Sequence, residues 1–319
     1  LERAGFNVIV IDEFQRPQAT WAAAGMLAPG AEIQPGEIGQ LREQRESVSL
    51  WPEFLHQVDM DANAVQLTKT GTLIVGWDAS DRREVDRHFA VAREIGEEPR
   101  VVTRGTDSSL FTDVAPQISE GLFFASDATL NPDHVVVGLR DHLVRRHVEI
   151  IRGHAELTME ASVEVWVNGE RHCGEVGVLA TGARPLPAPL GALSTKAVRP
   201  VRGSTVRFTG CTWRQQPMVR ATVRGRPFYA LIRPDGSGLI GATVGEGPNA
   251  NLELSELALL LRDANDLLPG LRSISVTEIR SGLRPAAPTS SPFIERIPGT
   301  SWFWTSGHFR HGVTLAPLY

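Results

Sequence analysis

The strand-like run Val8–Ile11 ends on a carboxylate, Asp12. An acid in that position can accept hydrogen bonds from a nucleotide ribose, as in dinucleotide-binding βαβ units whose Gly-rich turn holds the pyrophosphate. An acid that merely ends a strand of an α/β sheet would look the same. Leu1 to Ala4 read as the last turn of a helix and Gly5 as its stop. A first strand and Gly-rich loop, about 20 residues, would therefore precede Leu1, and the opening stretch contains no G-x-G-x-x-G. Other reactive side chains point away from chemistry of their own. His308 and His311 flank a Gly-bounded turn without a third ligand, so no metal site is expected. "DGSGLIG", Asp235–Gly241, has the wrong spacing for a serine nucleophile and reads as a hairpin turn. Cys173 and Cys211 are too few for a disulfide framework and read as inert thiols. The charges from Asp81 to Arg93 read as a solvated helix face, and His134, His142, His147 and His154 as solvent-exposed.

The elements that must carry these residues alternate along the chain. Val8–Ile11, Gly71–Val75, Gly177–Ala180, Thr205–Phe208, Leu239–Ile240 and Trp302–Thr305 predict strands. Glu46–Val58, Ser80–Ile95, Pro132–Arg145 and Ser255–Leu267 predict helices. The fold class is α/β (α+β). The chain has 319 residues, 42% hydrophobic and 22% charged, which is enough for a substantial core. Its net charge of −5 comes with dispersed basic residues, so neither nucleic acid nor an anionic membrane surface is an expected partner. No apolar run approaches the roughly 20 residues that cross a bilayer, and Phe6–Ile11 is too short for a signal-peptide core. A small ligand and a cytoplasmic location are the expectation.

Five segments in order resemble one family. "ATWAAAGMLAP" (Ala19–Pro29), "GVLATGA" (Gly177–Ala183), "RPVRGSTV" (Arg199–Val206), "SGLRPAAPTSSPFI" (Ser281–Ile294) and "TSGHFRHGVTLAP" (Thr305–Pro317) are similar to segments of glycine oxidases and related D-amino-acid and sarcosine oxidases. These are FAD enzymes that oxidise amines. The resemblance spans nearly the whole chain, with Ser204 where Gln is usual, His311 where Asn is common and Thr314 where an aliphatic residue is common. It implies a Rossmann-like FAD domain lacking its first strand and Gly-rich loop, formed by 1–62, 130–203 and 275–319. A substrate domain with a mixed, largely antiparallel sheet would take 63–129 and 204–274. The chain would also stop before the helix begun near Gly312 completes more than about a turn.

The roles follow residue by residue. Arg284, in "GLRP", would bind the substrate carboxylate, for which a planar guanidinium fork is the best match. Tyr229, in "FYALIRPDGSGLIGAT", would assist it; the only other tyrosine is Tyr319. Met26 would border substrate as well as cofactor. FAD would meet Asp12 at the ribose, then Thr20, Ala22, Ala23, Ala24, Gly25 and Met26, with Leu157 and the turn Ala180, Thr181 and Gly182. At the ring, Gly312, Val313 and Thr314 would begin a helix, beside His311 and the cation of Arg310. The implied reaction passes hydride from a small amino acid (glycine, sarcosine or a D-amino acid) to FAD, with O2 as acceptor and H2O2 as product. Transfer to a quinone or partner flavoprotein, or a chain unable to retain FAD, stays open. The resemblance also implies a role in thiamine synthesis and leaves homo-oligomerisation open.

Overall fold

The computed structural model describes residues 1–14, 18–157, 163–211, 217–289 and 291–319; Ser290, inside a quoted motif, lies outside them. Nine described strands join in one sheet. Next to one edge of it, Arg199–Thr209 is flanked on one side by Ser275–Ala286 and on the other by Gly238–Gly241 and Gly245–Glu246. Beyond Gly238–Gly241 come Arg226–Ile232, Met218–Val223, Thr72–Gly76, Glu120–Phe124 and Arg100–Thr103. Only Met218–Val223 with Thr72–Gly76 is parallel, so the sheet is mixed and largely antiparallel, as expected. Arg199–Thr209 runs unbroken across the expected boundary at 203/204.

Alternation along these strands gives the sheet two unlike faces. Val206, Phe208, Phe228, Ala230, Val219, Ala221, Leu73 and Val75 pack against Leu260, Ala264 and Leu267 of the helix Leu254–Leu267. On the opposite face Ile74, Leu122, Phe124, Met218, Leu231 and Leu239 meet Ala24, Ala28 and Ala31, together with Val85 and Ala92 of the helix Ala79–Glu94. This second face also carries arginines, and the site lies on it.

Smaller sheets stand beside the large one. Ile9–Asp12 runs parallel to Glu149–Arg152, and Gly177–Leu179 parallel to Trp302–Ser306. Val163, Val165, Leu179, Trp302 and Trp304 form a shared core, with Ile11, Ile151 and Leu157 partly buried against it. The helix Pro132–Arg145 leads into Glu149–Arg152; Asn131 caps it through the Asp133 amide at 3.2 Å, with Pro132 at its first position.

Several expectations shift. The helix predicted over Glu46–Val58 begins earlier, at Leu41, because Leu41, Gln44, Ser47, Trp51 and Leu55 continue one buried stripe. His142 is buried, with Nδ1 3.3 Å from Asp59, not solvent-exposed. Asp81 is also buried: its carboxylate accepts the Arg224 and Gly225 amides at 2.7 and 2.9 Å, so that helix face is not wholly solvated. No described helix is long and apolar enough to cross a membrane.

Candidate active site

Arg284 lies on Ser275–Ala286, opposite Val201, and its guanidinium stacks over Gly203, where any Cβ would strike it. Gly203 therefore provides the space. The guanidinium Nη1 donates to the Arg202 carbonyl at 3.3 Å, and no described carboxylate pairs with it. Burial draws its pKa below the ordinary guanidinium value. Tyr229 sits on Arg226–Ile232 opposite Gly241, and again the facing glycine makes room, since a Cβ there would meet the phenol ring. No described residue accepts a bond from its hydroxyl. Burial raises the Tyr229 pKa, and the nearby Arg284 charge opposes that rise. The two side chains named from sequence thus share one neighbourhood, each with hydrogen-bonding capacity to spare.

The segment Thr20–Met26 faces this neighbourhood. Ala19–Ala22 is a single helical turn, after which the chain turns at Gly25, with φ +81°. Another residue at Gly25 would drive its Cβ into Leu130 and within 2.7 Å of the Pro132 ring. The Gly25 carbonyl accepts the Leu130 amide at 2.9 Å and the Met26 carbonyl accepts Thr314 Oγ1 at 3.3 Å. Thr314 belongs to the turn of helix Gly312–Leu315, and Val313 packs against the core around Trp51 and Leu130. The two sequence segments expected to approach a flavin ring therefore touch. The Ala24 and Gly25 amides find no acceptor among the described residues. Open donors on a turn next to an uncompensated cation suit the carbonyl- and nitrogen-rich edge of an isoalloxazine, so the residues present fit FAD.

Arg310, expected as a cation near the ring, already has a carboxylate beside it. Its guanidinium is paired with Glu37 and reaches the Glu32 carbonyl at 3.2 Å. His311 Nε2 lies 3.2 Å from the same Glu37 carboxylate. Burial alone would raise Glu37, but His311 and Arg310 outweigh it and hold the carboxyl below its usual range. Arg310 Nε and His311 Nδ1 remain buried without a described partner. Beside them Glu32 accepts from Arg220 Nη1 at 2.8 Å. Sequence reading missed Glu32, Glu37 and Arg220. The available signal was an acid inside the "APGAE" continuation of an otherwise small-residue segment.

Asp12, Leu157 and the turn Ala180–Gly182 form a second group around the core of Trp302 and Trp304. Asp12 ends its strand and accepts the Phe14 amide at 2.7 Å through Oδ1. Gly182 has φ +61°, and its carbonyl accepts Ser306 Oγ at 2.8 Å. Ala180 and Thr181 are exposed. Asp12 thus sits half-buried at a strand end beside the parallel strand Glu149–Arg152.

A mixed sheet thus carries Arg284, which has no described carboxylate within pairing distance, on the same face as a turn whose Ala24 and Gly25 amides are open. Residues 1–319 match the FAD dependent oxidoreductase family (DAO), and the chain belongs to it. It is 30% identical over 215 residues to the glycine oxidase of Pseudomonas putida, covering 64% of this chain and 57% of that protein. It is 26% identical over 324 residues to the putative thiamine biosynthesis oxidoreductase ThiO of Rhizobium etli, covering 99% of this chain and 88% of that one. Among solved structures, iminodiacetate oxidase (IdaA) from Chelativorans sp. BNC1 has the same fold, with a TM-score of 0.84 at 20% identity over 100% of this chain and 88% of its own. The match to the Pseudomonas putida protein thus spans little more than half of that relative's length.

Proposed function

We propose that the chain carries out FAD-dependent oxidative deamination of a small amino acid such as glycine, sarcosine or a D-amino acid. The amino acid, O2 and water give a 2-oxo acid, ammonia or the parent amine, and H2O2. One observation carries this reading: the Arg284 guanidinium, half-buried over Gly203, has no described carboxylate partner. A desolvated cation of that kind is costly unless an anion completes it. A substrate carboxylate would do so through two parallel hydrogen bonds, and the Tyr229 hydroxyl would add a third donor. Fixing the carboxylate restricts rotation of the attached Cα, which is how Arg284 and Tyr229 would align the reacting C–H bond. When bound, FAD supplies the two-electron acceptor for that hydride.

Asp12 would hold the ribose. Ala24 and Gly25 would meet the ring through their amides, while Gly312, Val313 and Thr314 would approach it from the C-terminal side. The family relation to a ThiO protein supports supply of an imine to thiazole assembly as the pathway. The test is a substrate panel followed by peroxide release. Turnover of a small amino acid with stoichiometric H2O2 is expected. Reduced protein that stays reduced for minutes in air would shift the acceptor to a quinone or partner flavoprotein, and failure of every small amino acid would overturn the reading.

A further inference from the structure

The carbonyls of the flavin-facing turn are engaged one after another by elements outside it. Arg280 Nη1 and Arg207 Nη2 donate to the Trp21 carbonyl at 2.9 and 3.2 Å. Thr205 Oγ1 reaches Ala22 at 3.3 Å, Arg207 Nη2 reaches Ala23 at 3.2 Å, and Arg233 Nη2 reaches Ala24 at 3.1 Å. Leu130 and Thr314 then take Gly25 and Met26. Six consecutive carbonyls are thus drawn away from the side on which the Ala24 and Gly25 amides stay open. Peptide planarity ties each amide to the carbonyl preceding it, so fixing the Ala23 and Ala24 carbonyls aims the Ala24 and Gly25 N–H groups.

Arginine is a costly choice for this task. Arg207 and Arg233 are buried, each with an unpartnered Nε. Desolvation pulls the Arg233 pKa down to about 10, so it stays charged at neutral pH. A fold needing only to pack this turn could use apolar contacts, as the opposite sheet face does. We propose that Arg207 and Arg233 are positioning residues for FAD: through the Trp21, Ala23 and Ala24 carbonyls they aim the Ala24 and Gly25 amides at the isoalloxazine and set its affinity and reduction potential. Their charge, close behind the turn, also favours the more electron-rich reduced ring.

The test compares Arg233→Met, Arg233→Lys and Thr205→Val with the parent chain, using FAD titration by fluorescence quenching and the midpoint potential under dithionite. Arg233→Met is expected to weaken FAD binding about tenfold, lower the midpoint potential and alter the visible band. Arg233→Lys, which keeps the charge and one donor to Ala24, should restore most of the loss. Thr205→Val, a near-isosteric change, should show a smaller loss of affinity even if Arg233→Met folds poorly. Parent-like affinity, potential and spectrum in both Arg233→Met and Thr205→Val, with only a lower Tm, would overturn the proposal, as would a parent chain that takes up no FAD. Neither readout uses an amino acid, so failure of the amine-oxidation reading would leave this result intact.

Discussion

The two faces of the large sheet solve different problems with the same strands. On Arg199–Thr209, Val206 and Phe208 point into an apolar core, while Thr205 and Arg207 point to backbone carbonyls of the turn Trp21–Ala24. The apolar face needs only volume and shape, which burial of Val, Leu and Phe supplies without direction. The other face must place donors at chosen atoms, and directional hydrogen bonds do that at the cost of desolvating cations. Even within the polar face the arginines divide. Arg207 and Arg233 are occupied by the protein's own oxygens, as is Arg310 on the turn after Trp302–Ser306, whereas Arg284 keeps most of its donors free. Burying a cation without its anion makes sense where a ligand completes the pair.

The contrast can be broken by exchanging the faces' symptoms. Phe208→Ala, on the apolar face, should cost the most in stability, about 4 kcal/mol by urea unfolding, yet leave the KM of the surviving folded fraction unchanged. A raised KM there would mean the faces are not separable. Arg284→Lys should do the reverse. Loss of the two-pronged grip should reduce kcat/KM by about 2–3 kcal/mol, mostly as a higher KM, with little change in Tm. A lower Tm with unchanged KM would return Arg284 to a structural role.

A third test concerns Asp127, buried at the far end of the polar face. Burial, reinforced by Glu32 and Glu97 and opposed by Thr72 and Arg220, pushes its carboxyl up to about 7. A carboxyl raised in the folded state binds its proton more tightly there than in the unfolded chain. Its contribution is therefore full below the unfolded value near 4 and is lost as pH rises towards 7. Asp127→Asn, a mimic of the protonated acid, should remove that decline and be the more stable protein at pH 8, by about 2 kcal/mol. Parallel stability curves for the two proteins between pH 4 and pH 8 would refute the assignment. The smallest effect is expected for Tyr229→Phe, about 1 kcal/mol in kcat/KM for one hydrogen bond. No change at all would make Tyr229 a packing residue.

Local signals carried much of the fold. Pro132–Arg145 read as a helix from its first residue, the Asp235–Gly241 turn announced the hairpin between Arg226–Ile232 and Gly238–Gly241, and Val8–Ile11 announced the first strand. Ser275–Ala286 escaped as a strand because Glu278, Arg280 and Arg284 interrupt its apolar pattern. Those charges make sense only against their partners: Arg280 bonds Asp133 at 2.7 and 2.8 Å, 147 positions away in sequence. The same gap hid His142, which looked like one more polar position on an exposed helix until Asp59 and the packing around it were known.

The sequence by itself determined which residue types were available: a strand-ending acid at Asp12, a small-residue turn from Ala22 to Gly25, and arginines at positions 284 and 310. Only the tertiary structure decided which arginine kept its charge uncompensated. Glu37 sits 273 residues before Arg310 and reaches it through space, whereas Gly203 opens a slot for Arg284 without offering it an acid. Helices and turns are written by neighbours along the chain. Charge compensation depends on distances between segments that meet only after folding, and an absent Cβ becomes usable space only when a facing strand delivers a side chain to fill it.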